Sequence, residues 1–149
     1  MAFEGGPYVQ AGCFCETVIE DKIGSLSLIR IIDTITHTQA SPEPPETLPP
    51  FNYGLRLVLM LKSGSARGRS NLRIVPELPT GASLDAVTVT VHFEGEEKGA
   101  NVVSNLAMRF ENEGLYWFKV MIDDEILTQI PLRVRYNRIV TGPSIKQAS

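Results

Sequence analysis

The sequence predicts an all-β domain: an antiparallel β-sandwich of about eight strands, immunoglobulin-like or C2-like in outline. Three observations predict it. Apolar and polar residues alternate with a period of two through most of the chain, and the 3.6-residue period of an amphipathic helix is almost absent. Turn signals built from Gly, Asn, Asp and Ser interrupt that alternation at the intervals of an all-β domain. Asn112-Glu113-Gly114-Leu115-Tyr116 has the form of the turn that enters the F strand of immunoglobulin-like domains. There a Tyr two residues after a Gly returns its hydroxyl to nearby backbone. The cysteine pair and central tryptophan of antibody domains are missing, because Trp117 stands beside the Tyr and so on the opposite face. The likeness is to the architecture.

The strands follow in order. The run 8–19 ends at the turn Lys22-Ile23-Gly24-Ser25, and 26–36 extends from that turn towards the proline-rich stretch. In 53–62, Leu55, Leu57, Leu59 and Leu61 share a face with Arg56 opposite. After Ser63-Gly64-Ser65, the run 69–77 turns Leu72 and Ile74 inward and ends at Thr80-Gly81. In 84–94, Val87, Val89, Val91 and Phe93 alternate with Thr88, Thr90 and His92, and the glycine- and charge-rich stretch 94–99 follows. The run 100–111 turns Leu106, Met108 and Phe110 inward. In 115–123, Tyr116, Phe118, Val120 and Ile122 share a face with Lys119 on the other, and Asp123-Asp124 forms a hairpin into 125–136. There Leu132, Val134 and Tyr136 alternate with Arg133 and Arg135. Each pattern is that of a half-buried strand.

Ser41–Pro50, SPEPPETLPP, reads as an extended connection, since successive prolines remove backbone donors. Its Pro42-x-x-Pro45 lacks the flanking basic residue of a proline-motif ligand, so a crossover between sheets is the expectation. At 149 residues the chain fits one domain, placed at 1–138, with 139–149 an aperiodic tail.

With 43% hydrophobic residues the chain is not disordered, and no run of eighteen apolar residues marks a membrane span. Fourteen Lys/Arg against 17 Asp/Glu give a net charge of −3, which argues against a nucleic-acid partner. The opening MAFEGGPYVQ lacks the layout of a secretion signal, so a cytoplasmic location is expected. Cys13 and Cys15, if in a strand, leave one face about 7 Å apart at Cα, at or beyond the reach of a disulfide. They are expected as free thiols, with no metal and no cofactor: His37 and His92 do not stand at a zinc-like spacing from them.

Two candidate sites emerge. If successive strands reverse, the loops Asp21–Ser25, Ser63–Gly68, Gly95–Gly99 and Asp123–Glu125 share one end. Lys62, Arg67 and Arg69 would then meet Asp123 and Asp124 there. Such an end suits calcium held by carboxylates, or a phosphate-bearing small molecule cradled by backbone amides and guanidinium groups. The glycine stretch is not a Walker motif, and a compensated charged rim explains the same residues. The other candidate is an outward apolar surface. Trp117 and Met121 lie opposite the Tyr116/Phe118 face, with Arg133 or Arg135 on the neighbouring strand, and Val58 and Met60 lie opposite Leu57 and Leu59. Apolar patches on small domains mark partner surfaces. No nucleophile, base and orienting group stand together, so an enzyme is not expected.

The segments Gly24–Asp33, Leu61–Gly68, Phe93–Gly95, Glu113–Phe118 and Ile130–Val134 together resemble a family of small bacterial proteins of unknown function. The likeness spans about residues 8–138. It implies a stand-alone cytoplasmic β domain and brings no activity, cofactor or catalytic residue. The expected function is a non-catalytic protein-interaction or binding module whose partner is another protein or a second copy. The alternative is a domain responsive to calcium or a phosphate-bearing ligand at the charged end.

Overall fold

The computed structural model describes residues 5–142. Its seven strands are β1 (Tyr8–Glu20), β2 (Leu26–Ile32), β3 (Thr34–Ser41), β4 (Phe51–Glu77), β5 (Val87–Phe110), β6 (Gly114–Ile122) and β7 (Glu125–Val140). β4 and β5, 27 and 24 residues long, form one antiparallel hairpin whose pairing runs from Phe51 opposite Phe110 to Ile74 opposite Val87. Midway the register slips twice, between Lys62 and Gly64 and between Gly64 and Arg67. Positive φ angles at Gly64, Gly68, Gly95 and Glu96 cluster there. Extra residues in one strand of a pair bend it and sharpen its twist. The hairpin therefore folds over, and each of its strands serves two layers.

The first layer is ordered β2-β1-β4-β5, using the first half of β4 and the second half of β5. The second is ordered β3-β7-β6-β4-β5, using the opposite halves. The layers pack through aromatic rings. Phe14 of β1 meets Phe118 of β6 edge-on at 4.8 Å between centroids, and Phe110 of β5 meets Tyr116 of β6 at 5.1 Å. Leu55, Leu57, Leu59, Leu72, Ile74, Val91, Phe93, Leu106, Met108, Phe110, Tyr116, Phe118, Val120, Leu132 and Val134 are buried as the alternation predicts, and Val89 packs partly buried against them. The Tyr116 hydroxyl donates to the Asn112 carbonyl at 2.8 Å, closing the predicted corner at the entry to β6. The fold is an all-β, immunoglobulin-like sandwich.

Three features differ from the sequence expectation. The runs 53–62 and 69–77 are one strand, as are 84–94 and 100–111, because the glycines between them make bulges and not reversals. The run 26–36 is two strands that part at Asp33: β2 stays in the first layer and β3 crosses to the second. There β3 pairs with β7 in parallel, from Thr34 beside Arg133 to Ser41 beside Val140, so the sheet is mixed and not purely antiparallel. This parallel ladder carries β7 two residues past Arg138, and Thr141 donates to the Ser41 carbonyl at 3.0 Å. Residues 143–149 of the expected tail lie outside the described residues.

The proline stretch joins β3 in the second layer to β4 in the first, as a crossover. Pro44 and Leu48 are buried. The Tyr136 hydroxyl donates to the Pro45 carbonyl at 2.7 Å, and Arg138 donates to both Pro44 and Pro45 at 2.9–3.3 Å. The segment is held against β7 through its own carbonyls, which is not the state of a peptide offered to a proline-reading domain.

Candidate functional site

The charged end assembles only in part. β1 places Tyr8 beside Lys62 and Cys15 beside Arg56, so it runs away from the β4–β5 bend. Its hairpin Asp21–Ser25 therefore projects from the opposite end of the sandwich, contrary to the expectation. The count of reversals fails because the run 26–36 divides at Asp33: β2 runs toward the bend and β3 runs away from it, one extra reversal between this hairpin and β4. Asp123 and Asp124 do lie at the bend end, since Ile122 pairs with Leu72. All five residues Lys62, Arg67, Arg69, Asp123 and Asp124 thus belong to one end.

The cations at this end already have partners in the bend. Lys62 Nζ donates to the Glu97 carbonyl at 3.2 Å, and Arg67 donates to the Glu94 carbonyl at 3.1 Å. The Arg67 guanidinium lies against Gly95 so closely that a Cβ there would come within 2.7 Å of its central carbon. Beneath them the buried Ser63 hydroxyl donates to the Lys98 carbonyl at 2.9 Å and accepts from the Glu94 amide at 3.3 Å. Two long basic side chains and one hydroxyl thus bind backbone carbonyls and an amide of β5 beside the register slips. Arg69 stands exposed on β4 opposite His92 of β5. Asp123, at φ 53°, serves the β6–β7 turn. Among the described residues, no three His, Cys, Asp or Glu side chains converge on a point where a metal could sit. The sequence signal for a phosphate loop, Lys62–Arg69, is here the chemistry of a bulged corner.

The second candidate is better formed. Trp117 and Met121 lie half-buried on the outer face of the second layer. The register flanks Trp117 with Glu77 of β4 and Pro131 of β7, and Met121 with Arg73 of β4. Arg133, exposed, sits opposite Leu115 and so diagonally next to Trp117. Arg135 lies one pleat further on, beside Thr36 of β3, away from the tryptophan. Between Trp117 and Met121, Lys119 bridges to Glu77 at 2.7 Å. The result is a mixed surface of one aromatic ring, a thioether, a proline and charged side chains. Of the apolar residues expected outward on the first layer, Met60 is half-buried but Val58 is only 1% exposed. Cys13 on one side and Val103 on the other pair with Val58 and cover it.

Cys13 and Cys15 are free and lie on the outer side of the first layer, opposite the layer's Phe14. Burial, then the neighbouring Cys15, pushes the Cys13 thiol above its ordinary value. Burial does the same to Cys15, against a smaller pull from Arg56 and a backbone hydrogen bond. Both therefore stay protonated at neutral pH, the poorly nucleophilic form. His37 stacks on Phe51 with ring centroids 4.6 Å apart, and His92 is exposed on β5. A small, mostly polar hollow of about 230 Å³ lies where β2 gives way to β3, among Arg30, Asp33, Thr34 and Tyr53.

Residues 10–135, from β1 to near the end of β7, match the model of a family of unknown function, DUF6941. The chain belongs to this family. Every candidate residue of both surfaces lies within the DUF6941 match. No curated protein matches the chain. Among solved structures, it is similar to an immunoglobulin-like protein from Pseudomonas aeruginosa, with 14% identity over 89% of this chain and 98% of that one and a TM-score of 0.41.

One further feature is not read from the sequence: β5 pairs with β4 alone, and its stretch Ala100–Met108 is uncharged, although an edge strand is normally guarded by charge.

Proposed function

We propose that this DUF6941 domain is a non-catalytic protein-interaction module that meets its partner through the outer face of the second layer, centred on Trp117. The observation that carries the proposal is the placement of the single tryptophan: half-buried, outside the core, with Met121 and Arg133 on the same face. Tryptophan and arginine are favoured at binding hot spots: tryptophan offers a large rigid contact area at little entropic cost, and arginine offers a planar fork of five donors that also stacks on aromatic rings. Phosphate binding at the bend is the weaker reading, because Lys62 and Arg67 are engaged with β5 carbonyls, and calcium is weaker because the carboxylates there, among the described residues, form no group of three.

Trp117→Ala separates contact surface from core. A half-solvated tryptophan costs less than about 1.5 kcal/mol to truncate, whereas a buried aromatic costs about 3–5. The expected result is a small fall in the unfolding midpoint, with acrylamide readily quenching Trp117 fluorescence in dilute wild-type protein. A shielded, blue-shifted Trp117 together with a large loss of stability on truncation assigns the ring to packing and ends the proposal.

A further inference from the structure

β5 forms hydrogen bonds with β4 alone: among the described residues no strand lies along its other side. Its second half, Ala100–Phe110, is therefore an open edge of the first layer, with backbone donors and acceptors aimed outward. Such an edge is a template for another strand. Two features fit a second copy. The exposed row holds Val103, 44% exposed, at its centre, with Asn101 and Asn105 on either side. Charge stands only at the ends, with Arg109 at one and Glu96 and Glu97 of the bend, beside Lys98, at the other. Arg109 already meets Glu111 at 3.2 Å, but both side chains are more than half exposed, so the pair is weak and exchangeable.

We propose that two copies of this chain join β5 to β5, antiparallel about a two-fold axis at Val103, to make one continuous sheet. In that register Val103 faces itself, Asn101 faces Asn105, and Arg109 of each copy faces Glu97 of the other. Isologous pairing of this kind closes after two copies. The first half of β5 is the poorer edge: its outward row Thr88, Thr90, His92 and Glu94 sets no acid opposite a base when the strand pairs antiparallel with itself. The inference rests on the interaction-module reading, and it uses a surface on the layer that does not carry Trp117.

Sedimentation velocity of the full chain over a wide concentration range tests it. Wild type is expected to dimerise reversibly. Val103→Lys sets two ammonium groups opposite one another and should weaken the dimer at least about tenfold, like charges directly across a ladder being repulsive. Arg109→Glu and Glu97→Arg, both at exposed positions, should each weaken it, and the double variant should recover most of the affinity. Circular dichroism confirms that each variant is folded, and if Val103→Lys is not, the charge exchange decides. A wild-type monomer at every concentration, a dimer indifferent to these changes, or a double variant no better than its parents overturns the proposal. A dimer abolished by Trp117→Ala instead overturns it in favour of the other face. A monomer whose Trp117 remains quenchable overturns the β5 dimer alone and leaves the interaction module intact.

Discussion

Phe118→Ala is expected to lower stability by about 3–5 kcal/mol. Phe118 sits on β6 with none of its surface exposed, and its ring meets Phe14 of the other layer at 4.8 Å. It therefore spans the space between the layers, where truncation leaves a cavity that two hydrogen-bonded sheets cannot close by moving together. Edge-to-face contact adds about 0.5–1.5 kcal/mol beyond burial, so Phe14 also loses a partner. Denaturant titration against Lys22→Ala, an exposed change in the β1–β2 hairpin worth about 0.5 kcal/mol or less, reads the difference. Equal midpoints for the two variants would mean that β1 and β6 do not face each other.

Gly64→Ala is expected to be nearly as damaging, for a backbone reason. Gly64 has φ 61°, a left-handed conformation that costs an L-residue about 1–2 kcal/mol. A Cβ at that position would also overlap the Gly5 carbonyl oxygen and come within 2.9 Å of the Tyr8 ring. The segment Gly5–Tyr8 would have to lift from the bend, breaking the 2.9 Å hydrogen bond from the Ser65 amide to Gly5. The expected total exceeds about 2 kcal/mol. Gly54→Ala in the same strand is the comparison: nothing lies within 4 Å of the added carbon, and its φ is ordinary. That change should be neutral or slightly stabilising, by reducing the freedom of the unfolded chain. Similar losses from both would show that the bend does not need its left-handed glycine.

The faces of the strands were legible because a period of two is a local property. Leu55, Leu57 and Leu59, or Tyr116, Phe118 and Val120, sort themselves whatever lies across the sheet. Connectivity was not legible at two places. Ser63–Gly68 holds the residues of a reversal, yet glycine with positive φ serves a bulge as readily as a turn. Only the opposing strand, with Gly95 and Glu96 at matching positions, decides between them. At Asp33 the apolar run of 26–35 continues on both sides, so periodicity carries no mark of the switch between layers. The parallel partnership of β3 with β7 joins residues about a hundred positions apart and leaves no local trace.

The candidate sites follow the same division. Trp117 and Met121 were placed on the outer face by alternation alone, and the register then supplied Pro131, Glu77 and Arg133 as neighbours. The charged end depends on counting reversals, and the additional reversal at Asp33, where β2 gives way to β3, puts Asp21–Ser25 at the far end. Val58 shows a further gap: alternation sets its face, but only the register with Cys13 and Val103 shows that the face is covered there.

The proposed open edge is tested most directly by residue-resolved amide exchange along β5. In dilute protein, alternate amides from Ala100 to Phe110 should be protected by β4, while those between them, aimed outward, exchange quickly. At high concentration the fast set should become protected as the second copy adds its strand, with the amides of β3 unchanged. Uniform protection of β5 in the dilute monomer, or a fast set that stays fast at every concentration, would contradict the open and self-pairing edge.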